Sequence, residues 1–258
     1  YTGNNSTGQV ISTGFKSDLL IISGRSTGTN TAIFDTVRPL GELAFGDLAE
    51  PGEATGFITA HGNTSFTVAL AGGNTTNANN VTYVSWNWKA GTAFSNDASS
   101  TSVGSIDSVG SVSTDAGISI IKYTGSNTSS ASVAHGLGVA PEMIIIASRN
   151  YSSGVPVYHV PYDIGGIRLN ETGAEDNNNQ SAFFPSAPSS TVFNLGGGDE
   201  VNDAYNYIAY CFAGVEGYSK FGFFSGNNNA DGPFVYTGFK PAFFMIRDTA
   251  NAGTWVMY

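Results

Sequence analysis

The chain has 258 residues, of which 20 are acidic and 10 basic, and its net charge of -10 excludes a binder of nucleic-acid backbones, which needs clustered Lys and Arg. The same balance excludes a protein drawn to anionic membranes. Hydrophobic residues at 41 %, with 17 Phe, 12 Tyr and 3 Trp, exclude charge-rich disorder, and a single cysteine excludes an intrachain disulfide.

Read in chain order, one pattern recurs three times. The first copy opens Tyr1-Thr2-Gly3-Asn4-Asn5, reaches Gly14, runs through the apolar stretch Leu19 to Ile22 and arrives at Phe34. The best helix candidate follows, Val37 to Glu50, but Pro39, Gly41 and Gly46 interrupt it, and each is costly inside a helix. After the pair Gly72-Gly73 comes Tyr83-Val84-Ser85-Trp86-Asn87-Trp88, which reads as a strand. Residues 92–115 are rich in Ser, Gly, Thr and Asp and read as a linker. The second copy opens Tyr123-Thr124-Gly125-Ser126-Asn127 and repeats the series with Gly138, Met143 to Ile146 and Tyr158. Its second half repeats as well, with Gly197-Gly198 and then Tyr207-Ile208-Ala209-Tyr210-Cys211-Phe212. The third opens Phe224-Ser225-Gly226-Asn227-Asn228, passes Gly238 and Phe243 to Ile246, and reaches Tyr258. Gly14 to Gly138 spans 124 positions and Gly138 to Gly238 spans 100, a difference matched by the length of the linker. No apolar run approaches the ~20 residues of a membrane span, and no signal peptide is visible.

Turn-forming clusters of Ser, Gly and Asn break the chain at short intervals, and the runs between them favour Val, Ile, Tyr, Phe and Thr. The expected fold class is therefore all-β, built from tandem small antiparallel β-sandwich modules of the jelly-roll kind. The expected units are a module over 1–91, a linker over 92–115, a second module over 116–215 and the start of a third over 216–258. The third is expected either to be incomplete or to pack on a neighbouring module or chain. A chain that opens without methionine and stops inside a repeat is expected to belong to a longer polypeptide. Because side chains alternate along a strand, Val84, Trp86 and Trp88 share one face, as do Ile208, Tyr210 and Phe212. These six are the expected structural core.

The motifs carry a resemblance. The Tyr-Thr-Gly-Asn opening, Gly14-Phe15-Lys16-Ser17-Asp18, Arg25, Phe34-Asp35-Thr36-Val37-Arg38, Tyr83 to Gly91, Tyr207 to Gly222 and Asp231 to Pro241 resemble a repeat family of marine bacteriophage virion proteins, often described as tail fibres or structural proteins. The resemblance covers nearly the whole chain. It implies a virion location, and it offers no established catalytic residues to carry over. The second copy departs from the pattern where Tyr158-His159-Val160 stands in place of Phe34-Asp35-Thr36.

Candidate chemistry is sparse. Cys211 has no His nearby in sequence to act as its base and reads as a structural thiol. His61, His135 and His159 lack the spacing of metal ligands. Asp199, Glu200 and Asp203, beside Gly196 to Gly198, form the one oxygen-rich cluster suited to Ca²⁺, although the matching loop of the first copy carries no carboxylate. No other cofactor is expected. Trp255, Tyr151 and Tyr162 are the candidates for stacking on a sugar. The expected protein is a tail fibre or tail-associated appendage, homo-oligomeric, attached to other virion proteins and meeting a host-surface glycan. A capsid decoration protein is the alternative, and a polysaccharide-cleaving tailspike module is the third reading. Binding of nucleic acid and membrane insertion are not expected.

Overall fold

The structure is a computed structural model and describes residues 1–26, 31–40, 56–69, 75–160, 166–174 and 180–258. The first copy contributes β1 (Gln9–Ser12), β2 (Leu19–Gly24), β3 (Ala32–Asp35), β4 (Ile58–His61), β5 (Ser65–Val68) and β6 (Tyr83–Trp88). Next come β7 (Thr92–Asn96), β8 (Ser108–Ser113) and β9 (Ile118–Thr124). The second copy continues with β10 (Ala131–Ala134), β11 (Met143–Ser148), β12 (Pro156–His159), β13 (Ile167–Arg168), β14 (Val192–Leu195) and β15 (Asn206–Phe212). The third supplies β16 (Met245–Ile246) and β17 (Val256–Met257). Helix among the described residues is confined to the single turns Ala98–Thr101 and Gln180–Phe183. The Val37 to Glu50 segment falls partly outside the described residues.

All strand ladders are antiparallel, and the fold is all-β and sandwich-like. Strands β3-β2-β6 form one sheet of the first copy and β1-β5-β4 the other. The second copy repeats this with β12-β11-β15 inside a seven-stranded sheet and β10-β14 opposite it. The registers coincide. Leu19 lies across from Trp88 and Asp35, and Met143, 124 positions on, lies across from Phe212 and His159. The third hairpin keeps the same phase, with Met245 across from Met257. Gly14, Gly138 and Gly238 all have φ near +80° (79°, 76° and 84°), a backbone conformation that an L side chain strains to adopt, so the same glycine anchors each copy.

The openings of the first two copies also make matching contacts. Tyr1 stacks on Tyr83 at 5.1 Å, and Tyr123 stacks on Tyr207 at 5.2 Å. Such a pair contributes about 0.5–1.5 kcal/mol beyond its buried area. Buried Asn77 and Asn202 serve as matching clasps. The side-chain oxygen of each accepts a backbone N–H of the opening loop, from Asn4 and Ser126, at 2.9 Å, and the amide of each donates back to that loop. Asn5 and Asn127 adopt the left-handed conformation there, as does Asn228 in the third copy.

Two expectations are corrected. Residues 92–115 are not a linker. Strand β7 pairs with β8 over five residues and β8 with β9 over six, so the stretch forms the outer edge of the second module's seven-stranded sheet. Its Ser- and Gly-rich composition reflects an edge position, where one face meets water and Gly110 lets its strand lie close to Ile120. The inward face is corrected as well. The first module's own core is Leu20, Ile22, Phe34, Phe66, Val68 and Tyr83; that of the second includes Ile144, Ile146, Tyr158, Phe193, Tyr207, Ala209 and Cys211. The opposite parity, with Trp86, Trp88, Ile208, Tyr210 and Phe212, packs in a third cluster between the modules. Ile208 and Tyr210 are fully buried there, whereas Val84, Trp86, Trp88 and Phe212 are only partly covered. Alternation identifies which residues share a face, and it does not identify what that face meets.

Candidate functional site

A buried cluster of hydrogen-bonded polar groups lies in the seam between the modules. Strands β2 and β11 are buried on both faces, so Leu20 and Ile22 enter one core while Leu19 and Ile21 meet Met143, Ile145 and Ile208 across the seam. Apolar burial of this kind is worth about 1.5–3 kcal/mol per large side chain. At the end of β3 the chain turns, and the carboxylate of Asp35 accepts the backbone N–H groups of Val37 and Arg38, both at 2.9 Å. Its other oxygen accepts Nε–H of Arg38 at 2.7 Å and the hydroxyl of Tyr210, from the second module, also at 2.7 Å. Neither side chain of the Asp35–Arg38 pair is exposed. Burial pushes the Asp35 carboxyl up, but the adjacent Arg38 guanidinium and the hydrogen bonds outweigh it and hold the group below the ordinary carboxylate value. Burial pushes the Tyr210 phenol well up, so it stays a hydrogen-bond donor.

A buried ion pair with all its hydrogen bonds made is a device for specificity more than for stability. Here the pair reaches across the seam, since Tyr210 of the second module donates to Asp35. A slip of one residue would take Tyr210 off Asp35 and leave a charge buried without its full set of donors. The chemistry available is positional: two charges neutralise each other, and no group is left poised to transfer a proton.

Beside the seam lies an open cleft of about 360 Å³, lined by Lys16, Val37, Phe94, Lys122 and the strands around Gly91 and Gly110. Lys16 is held by Asp18 at 3.2 Å. Asp18 also accepts Thr36 Oγ1–H and the backbone N–H of Ala90, so it belongs to the turn scaffold. The cleft has ammonium groups and an aromatic ring on its walls, and among the described residues no carboxylate pair, the geometry that glycoside hydrolysis needs, stands across it.

The remaining candidates do not converge. Trp255 is half-buried. Its indole N–H donates to the Arg168 carbonyl at 3.2 Å and the Arg247 guanidinium lies 5.9 Å from its ring, so it staples the third hairpin to the second module and is not an open platform for a sugar. Tyr151 is exposed but stacks on Tyr205 at 4.6 Å, which occupies one face of its ring. Tyr162 lies outside the described residues. Asp199, Glu200 and Asp203 do not form a Ca²⁺ cage, and among the described residues no group of three or more His, Cys, Asp and Glu is placed to hold a metal. Glu200 instead accepts Nε–H of Arg168 on both oxygens, at 3.0 and 2.9 Å. Asp203 turns back to the N–H of Ala204, and the backbone carbonyl of Asp199 accepts the Tyr207 hydroxyl.

Cys211 is fully buried, and burial pushes its thiol up to about 12, far from the thiolate range of a nucleophile. His135 is fully buried too. Its Nδ1 accepts the N–H of Leu137 at 3.2 Å, which places the proton on Nε2, 3.1 Å from the Ser189 carbonyl. Burial lowers the pKa of His61, His135 and His159.

Sequence reasoning missed the seam, and a signal for it was present. Continuous apolar runs such as Leu19 to Ile22 and Met143 to Ile146 lack the polar alternation of a half-exposed strand and denote burial on both faces. The Asp35–Arg38 spacing was visible as well, but its third member, Tyr210, is 175 residues away.

Among family models, one described as a domain of unknown function (DUF7483) matches residues 1–258. No curated protein and no solved structure matches the chain.

Proposed function

The chain belongs to the DUF7483 family, and on that premise we propose that it is a structural protein of a phage virion, a tail fibre or tail-associated appendage that presents β modules to a host-surface glycan. The observation that carries the reading is the seam. Two modules of matching register are joined face to face through an apolar layer that holds the Asp35, Arg38 and Tyr210 cluster. Modules joined in this way form a stiff element whose length grows by repetition, and repeated weak contacts to a surface then add through avidity. The acidic surface and the inert Cys211 and His135 suit a particle component that must remain soluble and intact. In this reading a glycan carrying carboxylate or sulfate groups binds at the cleft lined by Lys16, Phe94 and Lys122, and no catalytic role is assigned to any residue.

The test is labelling of intact particles with an antibody raised against the chain, together with inhibition of adsorption by the free protein. Label on the tail and competition for host cells are expected. Label spread over the shell would instead identify a capsid decoration protein.

A further inference from the structure

The cleft beside the seam is walled by both modules. Lys16 and the turn residues Thr36 and Val37 form its first-module side, and Phe94, Ser111 and Lys122, on β7, β8 and β9, form its second-module side. Alternation along β9 sets the direction of Lys122. Ile118 and Ile120 belong to the seam cluster, whereas Ile121 and Tyr123 belong to the second module's core. Lys122 therefore projects on the seam side, half-buried at the margin of an apolar cluster. The Phe94 ring rests against Gly136, where a Cβ would stand 2.6 Å from it.

Positive charge gathers at this place in an otherwise acidic chain. Lys89 is the third ammonium, since its stem runs along Gly91, where a Cβ would stand 3.7 Å from the Lys89 Cε. Three of the chain's five lysines thus adjoin one cleft that no carboxylate lines. Asp18, behind Gly91, is buried and committed to Lys16, to the Thr36 hydroxyl and to the Ala90 N–H. Among the described residues, Lys89 and Lys122 take part in no ion pair. An ammonium at the edge of an apolar cluster loses solvation that an anion arriving from outside restores. The first-module wall is also part of the seam. Val37 packs on the seam cluster and donates its N–H to Asp35, so whatever presses on that wall touches the turn that holds the buried ion pair.

We propose that the cleft takes a polyanionic saccharide segment with anionic groups on neighbouring sugars, and that the bound segment clamps the first module to the second. One anionic group meets Lys122 on the second-module wall, the next meets Lys16 and Lys89 on the other, and a sugar ring lies against Phe94. A ligand that needs both walls in place stabilises the arrangement that holds them together. The inference rests on the reading of this cleft as the glycan site. It adds the charge pattern of the glycan and the consequence of binding for the seam. A neutral saccharide would leave the ammonium groups unmatched and is not the ligand.

The test uses the whole chain at low ionic strength with three tetrasaccharide probes: chondroitin sulfate, which carries carboxylate and sulfate on adjacent sugars, hyaluronan, which carries carboxylate on alternate sugars only, and neutral maltotetraose. Calorimetry is expected to show chondroitin sulfate binding most tightly, hyaluronan more weakly and maltotetraose not at all, with affinity falling as salt is added. Bound chondroitin sulfate is expected to slow amide exchange by about threefold or more on both walls, at Val37 and Arg38 and at Lys122. Lys122→Gln is expected to weaken binding by about tenfold, and Lys89→Gln, at an exposed position, by about threefold. Lys240→Gln, at an exposed position in the third copy, is expected to leave it unchanged. Equal binding of all three probes, or equal loss in the Lys122 and Lys240 variants, would overturn the proposal. Slowing on one wall alone would remove the clamp and leave the cleft as the glycan site, whereas no binding of chondroitin sulfate would remove both.

Discussion

Strands β6 and β15 occupy the same place in their modules and share one register, yet they meet the seam differently. On β15, Tyr210 is fully buried with its hydroxyl on Asp35, while on β6 the equivalent Trp86 is half-buried against Phe243 of the third copy. A large ring suits either place, but a buried polar tip requires a partner. The duplicated backbone therefore fixes where a contact forms, and the individual side chain fixes whether that contact is fully buried and hydrogen-bonded or partly exposed.

That difference predicts unequal sensitivity. The largest effect is expected from Asp35→Ala, which strands the Arg38 charge inside the seam and should cost about 3–5 kcal/mol in denaturant unfolding. Tyr210→Phe keeps the ring and removes one donor to a buried carboxylate, with an expected loss of about 1–3 kcal/mol. On the other side of the comparison, Phe243→Ala removes two edge-to-face contacts at a half-covered site and should cost about 1 kcal/mol. A loss for Phe243→Ala as large as that for Asp35→Ala would erase the distinction.

How far the amino-acid pattern revealed this division depends on the residue. Gly14, Gly138 and Gly238 set the phase of all three copies, because only a residue free to take positive φ fits there, and every register follows from that phase. The pairing of Trp86 with Trp88, and of Ile208 with Tyr210, on one face was equally legible from alternation. What that face meets was not, since each module has two apolar faces and periodicity weighs them alike. Residues 92–115 were misread because edge strands with one wet face draw on the same Ser, Thr and Gly as a linker does. Among the candidate site residues, Trp255 anchors the third hairpin through the Arg168 carbonyl, a partner 87 residues away that no local pattern displays. Asp199, Glu200 and Asp203 looked like metal ligands only while the Arg168 partner of Glu200 was out of view.

The smallest expected effect concerns pH and separates core from seam. Buried His135 and half-buried His61 and His159 have lowered pKa values, so the unfolded state binds more protons, and stability should be flat above pH ~6.5 and fall as pH drops below it. Asp35 acts lower on the scale. With its folded pKa depressed, its contribution is complete above the unfolded value of ~3.9 and is lost only as pH falls through the lower folded value. Denaturant midpoints measured across this range should decline in two stages, with the Asp35→Asn variant lacking the more acidic one.

The joining of the two modules through Asp35 and Tyr210 is tested most directly by a double-mutant cycle on unfolding free energy, using Asp35→Asn, Tyr210→Phe and the pair. A coupling of about 1 kcal/mol or more is expected, because each substitution removes the same hydrogen bond across the seam. Additivity within about 0.3–0.5 kcal/mol would show that the two residues do not meet and that the modules are not joined as described.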